Sequence, residues 1–149
     1  MNSAYRPVIF ILIVVAGMFA FSVVRKAREP VENIPWRKNL ETAKDEAGKS
    51  GKPVLAYFTA TWCPPCQQMK EETWPHKKVE SALEAYVPVK IDVDAFPDVA
   101  RRYNIDGIPV MAVLRADGTP TETRVGFATA DELAGWLKGA AAAGARVGG

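Results

Sequence analysis

Two cysteines stand three residues apart in Thr61-Trp62-Cys63-Pro64-Pro65-Cys66, and the chain has no others. That count excludes a disulfide-stapled scaffold and a four-cysteine zinc site. The run Pro53 to Thr59 just before the motif is apolar, partly β-branched and aromatic, and predicts a buried central strand. The cysteines therefore fall where a strand hands over to a helix. If Cys63 opens that helix, Cys66 lies one turn on, with α-carbons about 5–6 Å apart, a distance a disulfide can bridge. A helix amino terminus carries unpaired N–H groups and about half a positive charge, which favour thiolate over thiol. A thiol with pKa near 8.5 is only about 3% ionised at pH 7, and lowering it to about 7 makes it half ionised. Cys63, at the exposed end, is the expected nucleophile, and Cys66 the expected resolving thiol that releases a mixed disulfide. Pro64 and Pro65 suit the first turn, where their missing N–H groups would have had no partner. Two incidental buried cysteines, or a static structural disulfide, are the plainer alternatives. A zinc or copper site would have to be completed by carboxylates or a partner chain, since His76 is the only histidine. His76 follows Pro75 in a charged turn and reads as a solvated surface residue. No metal or other cofactor is expected.

Around the motif the chain alternates between elements. Trp36, Leu40, Ala43 and Ala47 recur at helical spacing and Gly48 and Gly51 close that segment. A helix is predicted from near Cys63 to about Thr73, ended by Pro75. Val79, Ala82 and Leu83 mark another helical turn or two, and Tyr86 to Val93 a second strand. Pro97 can begin a helix whose inner face is Val99, Ala100 and Tyr103. Val110 to Arg115, Asp117-Gly118 and Thr121 to Phe127 read as a β-hairpin. Thr129 and Glu132 form a capping box before a last helix with Leu133, Trp136, Leu137 and Ala140 inside, and residues 141–149 are expected to fray. The fold class is α/β, a mixed sheet covered by helices, without internal repeats.

At the amino end, Val8 to Val24 holds 17 residues without a charge. A helix of that length spans about 25 Å, at the short end of what a bilayer needs. Tyr5, Arg6, Arg25, Lys26 and Arg28 flank it with residue types that sit at interfaces. The expected division is a membrane anchor over 1–28, a Pro-bounded linker over 29–35, a folded domain over 36–140 and a flexible tail. A buried core helix and a cleaved signal peptide, with Ala20-Phe21-Ser22 as its small residues, are the rival readings. The charge divides accordingly, +4 in residues 1–28 and −2 in the rest. A body at −2 with interspersed signs has no basic stripe, so nucleic acid is a poor partner. Three basic residues after the helix against one before it would place the domain in the cytoplasm by the positive-inside rule. Cysteine chemistry favours the oxidising side, and the two signals conflict.

Residues 53–137 resemble the thioredoxin-like family. The resemblance rests on Trp62-Cys63-x-Pro65-Cys66 after an apolar strand, then Lys90-Ile91-Asp92-Val93-Asp94, Tyr103-Asn104-Ile105-Asp106-Gly107-Ile108-Pro109 and Val125-Gly126-Phe127. Glu72-Thr73-Trp74 followed by Val79, and Gly51-Lys52-Pro53-Val54, are similar to the C-terminal domain of DsbD-type membrane disulfide reductases. It implies a thioredoxin fold, a cis Pro109 opposite the cysteines, and an Ile108 backbone that pairs with an extended substrate strand. Trp62 and Pro64 join Ile108 and Pro109 as implied substrate-contacting residues. Two positions depart from the family. Tyr57 stands six residues before Cys63, where the family often has a buried acid, and a phenol near pKa 10 is a poor proton acceptor at pH 7. Resolution would then depend on water, or on Glu71 or Glu72 if either approaches. Gln67 follows Cys66 where cytosolic thioredoxins commonly have lysine.

The reading that results is a thiol-disulfide oxidoreductase acting on client proteins through Cys63 and Cys66, with a reductive role favoured by the resemblance. Its domain is expected to be periplasmic or otherwise extracytoplasmic, and a membrane redox partner would recycle the pair. Secretion after signal cleavage and a cytoplasmic-facing domain are the alternatives for location. A copper or zinc chaperone using the same thiols and a non-catalytic adaptor are the alternatives for function.

Overall fold

The computed structural model describes residues 6–26 and 33–147. They belong to two compact units divided between Val31 and Glu32. Among the described residues the first contains α1 (Arg6–Lys26), whose apolar side chains over residues 7–22, among them Phe10, Met18, Phe19 and Phe21, are exposed. Val8–Val24 is thus helical, but among the described residues no helix is long and apolar enough to cross a membrane. The linker expected over 29–35 lies outside the described residues as far as residue 32.

The second unit is built on a four-stranded sheet in the order β2-β1-β3-β4, formed by β1 (Val54–Thr59), β2 (Val87–Asp92), β3 (Val110–Leu114) and β4 (Pro120–Val125). β1 runs parallel to β2 and antiparallel to β3, and β3 and β4 form the expected hairpin. Side chains alternate across a strand, so each face takes every second residue. Val54, Ala56 and Phe58 of β1 join Val87, Val89 and Ile91 of β2 against α2 (Leu40–Ser50), which contributes Leu40, Ala43 and Ala47. Leu55 and Tyr57 point the other way, into a core with Met69, Trp74, Val79, Leu83, Leu133 and Leu137. Those residues come from the segment after the cysteines, from α4 (Lys77–Leu83) and from α6 (Ala130–Val147). A further helix, α5 (Pro97–Arg102), carries Pro at its start as expected.

Three local features differ from the sequence reading. Trp36 does not belong to α2, because Asn39 caps that helix by accepting the N–H groups of Glu41 and Thr42. Arg37 instead bridges to Val89, donating its N–H to the Pro88 carbonyl and accepting that of Lys90. This pairing covers part of an edge of β2 that would otherwise present open backbone groups. The helix after the cysteines reaches Thr73, but as α3 (Pro64–Gln68) followed by a π-helical turn, Met69–Thr73. The wider turn lets Met69, Thr73 and Trp74 all face inward, and all three are buried. Finally, the segment expected to fray stays helical to Val147. Ala141 packs on the core, and a run of alanines costs a helix almost no side-chain entropy.

Candidate functional site

Cys63 sits in the non-helical N-cap position of α3, with φ −86° and ψ 109°, and Pro64 and Pro65 occupy the first turn behind it. Its Sγ accepts the N–H of Cys66 at 3.3 Å. The two cysteines form a disulfide, with α-carbons 5.3 Å apart. An N–H directed at Cys63 Sγ is a contact of the kind that favours a thiolate once the bond is reduced. The exposure expected to separate the two is absent: both are 2% exposed. Ala60 is buried with them, and Val93 and Ile108 pack against this small cluster.

The surroundings hold the disulfide in a recess. Trp62 projects beside it at 64% exposure, and its Nε1 donates to Asp94 Oδ2 at 2.7 Å. Asp94 was not singled out from the sequence, since it lies 32 positions from Trp62 and only the parallel pairing of β1 with β2 brings the two loops together. Gln67 donates from Nε2 to the Thr61 carbonyl at 3.0 Å, tying the helix back to the loop before the motif. Pro64 is exposed. The Ile108–Pro109 peptide is cis, and the carbonyl of buried Pro109 accepts the Gly126 N–H at 2.8 Å.

Behind Cys66 the chemistry differs from a buried-acid site. Tyr57 is buried beside Trp74 and Trp36, with ring centroids 4.7 and 5.8 Å away. A cleft of about 530 Å³ opens here, lined among others by Cys66, Tyr57, Trp36, Lys70, Lys90 and Asp92. Glu71 and Glu72 are exposed and do not line it, and Glu72 accepts from Gln68 instead. His76 is exposed and caps α4, its Nδ1 accepting the Lys78 N–H. Among the described residues no three His, Cys, Asp or Glu side chains gather where they could hold a metal ion.

A fold of this topology with a CxxC pair capping the helix after its central strand defines a class, and comparison with known proteins agrees. Residues 40–141 match the family model of the thioredoxin-like domain. The chain belongs to the thioredoxin-like family of disulfide oxidoreductases. A thioredoxin-like protein of Synechocystis is 38% identical over 65% of this chain and 90% of its own length. The thiol:disulfide interchange protein DsbD of Neisseria meningitidis is 34% identical over 66% of this chain, which spans only 18% of that protein. Chloroplastic thioredoxin Y1 of Arabidopsis thaliana is 33% identical, with 65% of this chain matched to 55% of its length. Among solved structures, the oxidised C-terminal domain of Neisseria meningitidis DsbD superposes with TM-score 0.60 at 31% identity. That match covers 70% of this chain and 97% of the domain. A thioredoxin from Thermus thermophilus gives 0.68 at 26% identity, over 78% of this chain and 95% of its own.

Proposed function

We propose that this protein is a membrane-tethered thiol-disulfide oxidoreductase that reduces disulfides in client proteins on the extracytoplasmic side. The observation that carries the reading is the geometry at Cys63, an N-cap sulfur accepting the Cys66 N–H at 3.3 Å within a bridged pair. In the reduced protein the Cys63 thiolate attacks a client disulfide. Cys66 then displaces the client from Cys63, closing the internal disulfide and releasing a client dithiol. Trp62 and Pro64 flank the reacting sulfur, and the Ile108 backbone at the cis peptide serves an extended client strand.

The tether rests on the uncharged run Val8–Val24 and on a helix whose apolar side chains are exposed over residues 7–22. Such a helix needs lipid or a partner to cover it. The extracytoplasmic side rests on where a single exchangeable disulfide persists, against the basic residues after the helix. The reductive direction draws on the likeness to the C-terminal domain of DsbD.

The test is client trapping in native membranes. Cys66→Ser should accumulate mixed disulfides through Cys63, and Cys63→Ser should abolish insulin disulfide reduction. Insulin reduction that survives Cys63→Ser would overturn the reading. Labelling of Cys63 by a membrane-impermeant thiol reagent only after permeabilisation from the cytoplasmic face would overturn the placement.

A further inference from the structure

When Cys66 resolves a mixed disulfide it must lose a proton, and position 57, on the sheet face behind it, carries a phenol. The sheet register points to a replacement. Tyr57 pairs with Lys90, and Thr59 with Asp92. Val89 and Ile91 face the α2 side, so Lys90 and Asp92 share the other face with Tyr57 and Thr59. Asp92 is thus one strand across from position 57, about 4.8 Å, and two residues, about 6.6 Å, closer to the strand ends where the cysteines lie. It is the one carboxylate among the described residues that lines the cleft onto which Cys66 opens.

We propose that Asp92 is the proton acceptor for Cys66, working through the cleft. This deepens the exchange reaction proposed above and rests on it. The Cys66 thiol gives its proton to Asp92 across the cleft, and the thiolate attacks Cys63 Sγ. The Cys63–client bond breaks, the electron pair leaves with the client sulfur as thiolate, and Asp92 returns its proton to solvent. The turn after β2 does not compete for this role. The N–H groups of Asp94 and Ala95 both fall on Oδ1 of Asp92, leaving Oδ2 to handle a proton.

The charged groups around Asp92 are Lys90 on its own strand, Lys70 on the π-helical turn, Arg37 and Lys38 on the entry segment, and Asp94 beyond the turn. Arg37 is held by Glu46 at 2.6 Å, and Lys90 lies over the Trp36 ring, 5.0 Å from its centroid. These basic side chains line the same cleft as Cys66 and would attract the thiolate as it forms.

The experiment uses the reduced full chain and 5,5′-dithiobis(2-nitrobenzoate) in a stopped-flow instrument. Attack by Cys63 releases one coloured thiolate and resolution by Cys66 releases the second, so the two steps are seen apart. Asp92→Asn keeps an Oδ1 acceptor for the turn. It should leave the first release unchanged and slow the second about tenfold at pH 6.5, a modest share of what general-base catalysis can supply. The defect should fade toward pH 9, where the thiol ionises unaided, and Asp92→Glu should recover most of the rate. A purely structural defect would not follow pH in this way, and an unchanged first release certifies the fold. A second release unaffected by Asp92→Asn overturns the proposal. So does a pH-dependent loss that appears instead in Tyr57→Phe or in Glu32→Gln, which removes an acid four residues before Trp36 in the sequence. Failure of the wild type to give any first release overturns the exchange reaction itself, and is distinguishable from either result.

Discussion

Replacing Tyr57 by aspartate would restore the acid that the family often has at this position, and the structure predicts that the change harms the protein. Tyr57 is 2% exposed and its ring is packed within 4.7 Å of Trp74 and 5.8 Å of Trp36, centroid to centroid. Removing an aromatic ring from such a site costs about 3–5 kcal/mol in transfer and cavity terms. The carboxylate put in its place is taken out of water, which pushes its pKa above the usual 3.9 or so. A folded-state pKa above the unfolded one means that the native form binds the extra proton. Stability therefore falls as pH rises from about 4 to the folded value, and stays low above it. Against a typical domain stability of about 5–15 kcal/mol, a loss of about 4 at pH 5 that deepens toward neutrality leaves little margin. Urea unfolding followed by tryptophan fluorescence at pH 5 and pH 7 reads this directly, since Trp36 and Trp74 border the substituted ring. Tyr57→Phe is the control and should cost no more than about 1.5 kcal/mol, the contribution of one hydroxyl. A Tyr57→Asp protein within about 1 kcal/mol of wild type at both pH values would refute the view that this aromatic packing seals the position.

Thr73 is buried and donates from Oγ1 to the Ala128 carbonyl at 2.7 Å, so Thr73→Val should lower stability by about 1–3 kcal/mol in urea unfolding while Thr73→Ser preserves it. Asp94→Ala should free the Trp62 indole and raise the KM for insulin up to about fivefold with kcat held, as expected for loss of one hydrogen bond of about 1 kcal/mol. The Arg37 hydrogen bond lowers the pKa of Glu46, the Lys78 hydrogen bond that of Asp131, and the Thr129 N–H that of Glu132. Folded pKa values below the unfolded ones give stability that is present above about pH 4.5 and is lost as pH falls through the folded values, so the urea midpoint should drop between pH 4.5 and 3. Thr129→Ala should reduce Glu132's share of that drop and cost about 1 kcal/mol at neutral pH, because Thr129 Oγ1 accepts the Glu132 N–H.

Much of this was legible in the residues because it depends on local order. An apolar run of seven, a CxxC after it and Pro97 at a helix start each act through neighbours in sequence, and those elements stand where their patterns place them. What was missed depends on register. The Trp62–Asp94 contact and the placing of Asp92 on the cleft that Cys66 lines both follow from the parallel pairing of β1 with β2, which no spacing along the chain encodes. Trp36 falls three or four residues from helical partners and imitates their period, yet Asn39 starts the helix after it. The equal burial of the two cysteines had no local signal either, since Val93 and Ile108 arrive from distant loops to pack against them.

The bridge between Arg37 and Val89 has a practical consequence for anyone trimming this protein. The family match begins at Leu40, inside the first helix of the fold, and would suggest a fragment starting there. Such a fragment would discard Ile34 from the core, Trp36 from the wall of the cleft and Arg37 from the edge of β2. An uncovered strand edge is a template for joining other chains, so the shortened domain should self-associate even though its cysteines are intact. A fragment that keeps the native site must therefore begin before Ile34, because the segment ahead of the first family-matched helix is part of the folded unit.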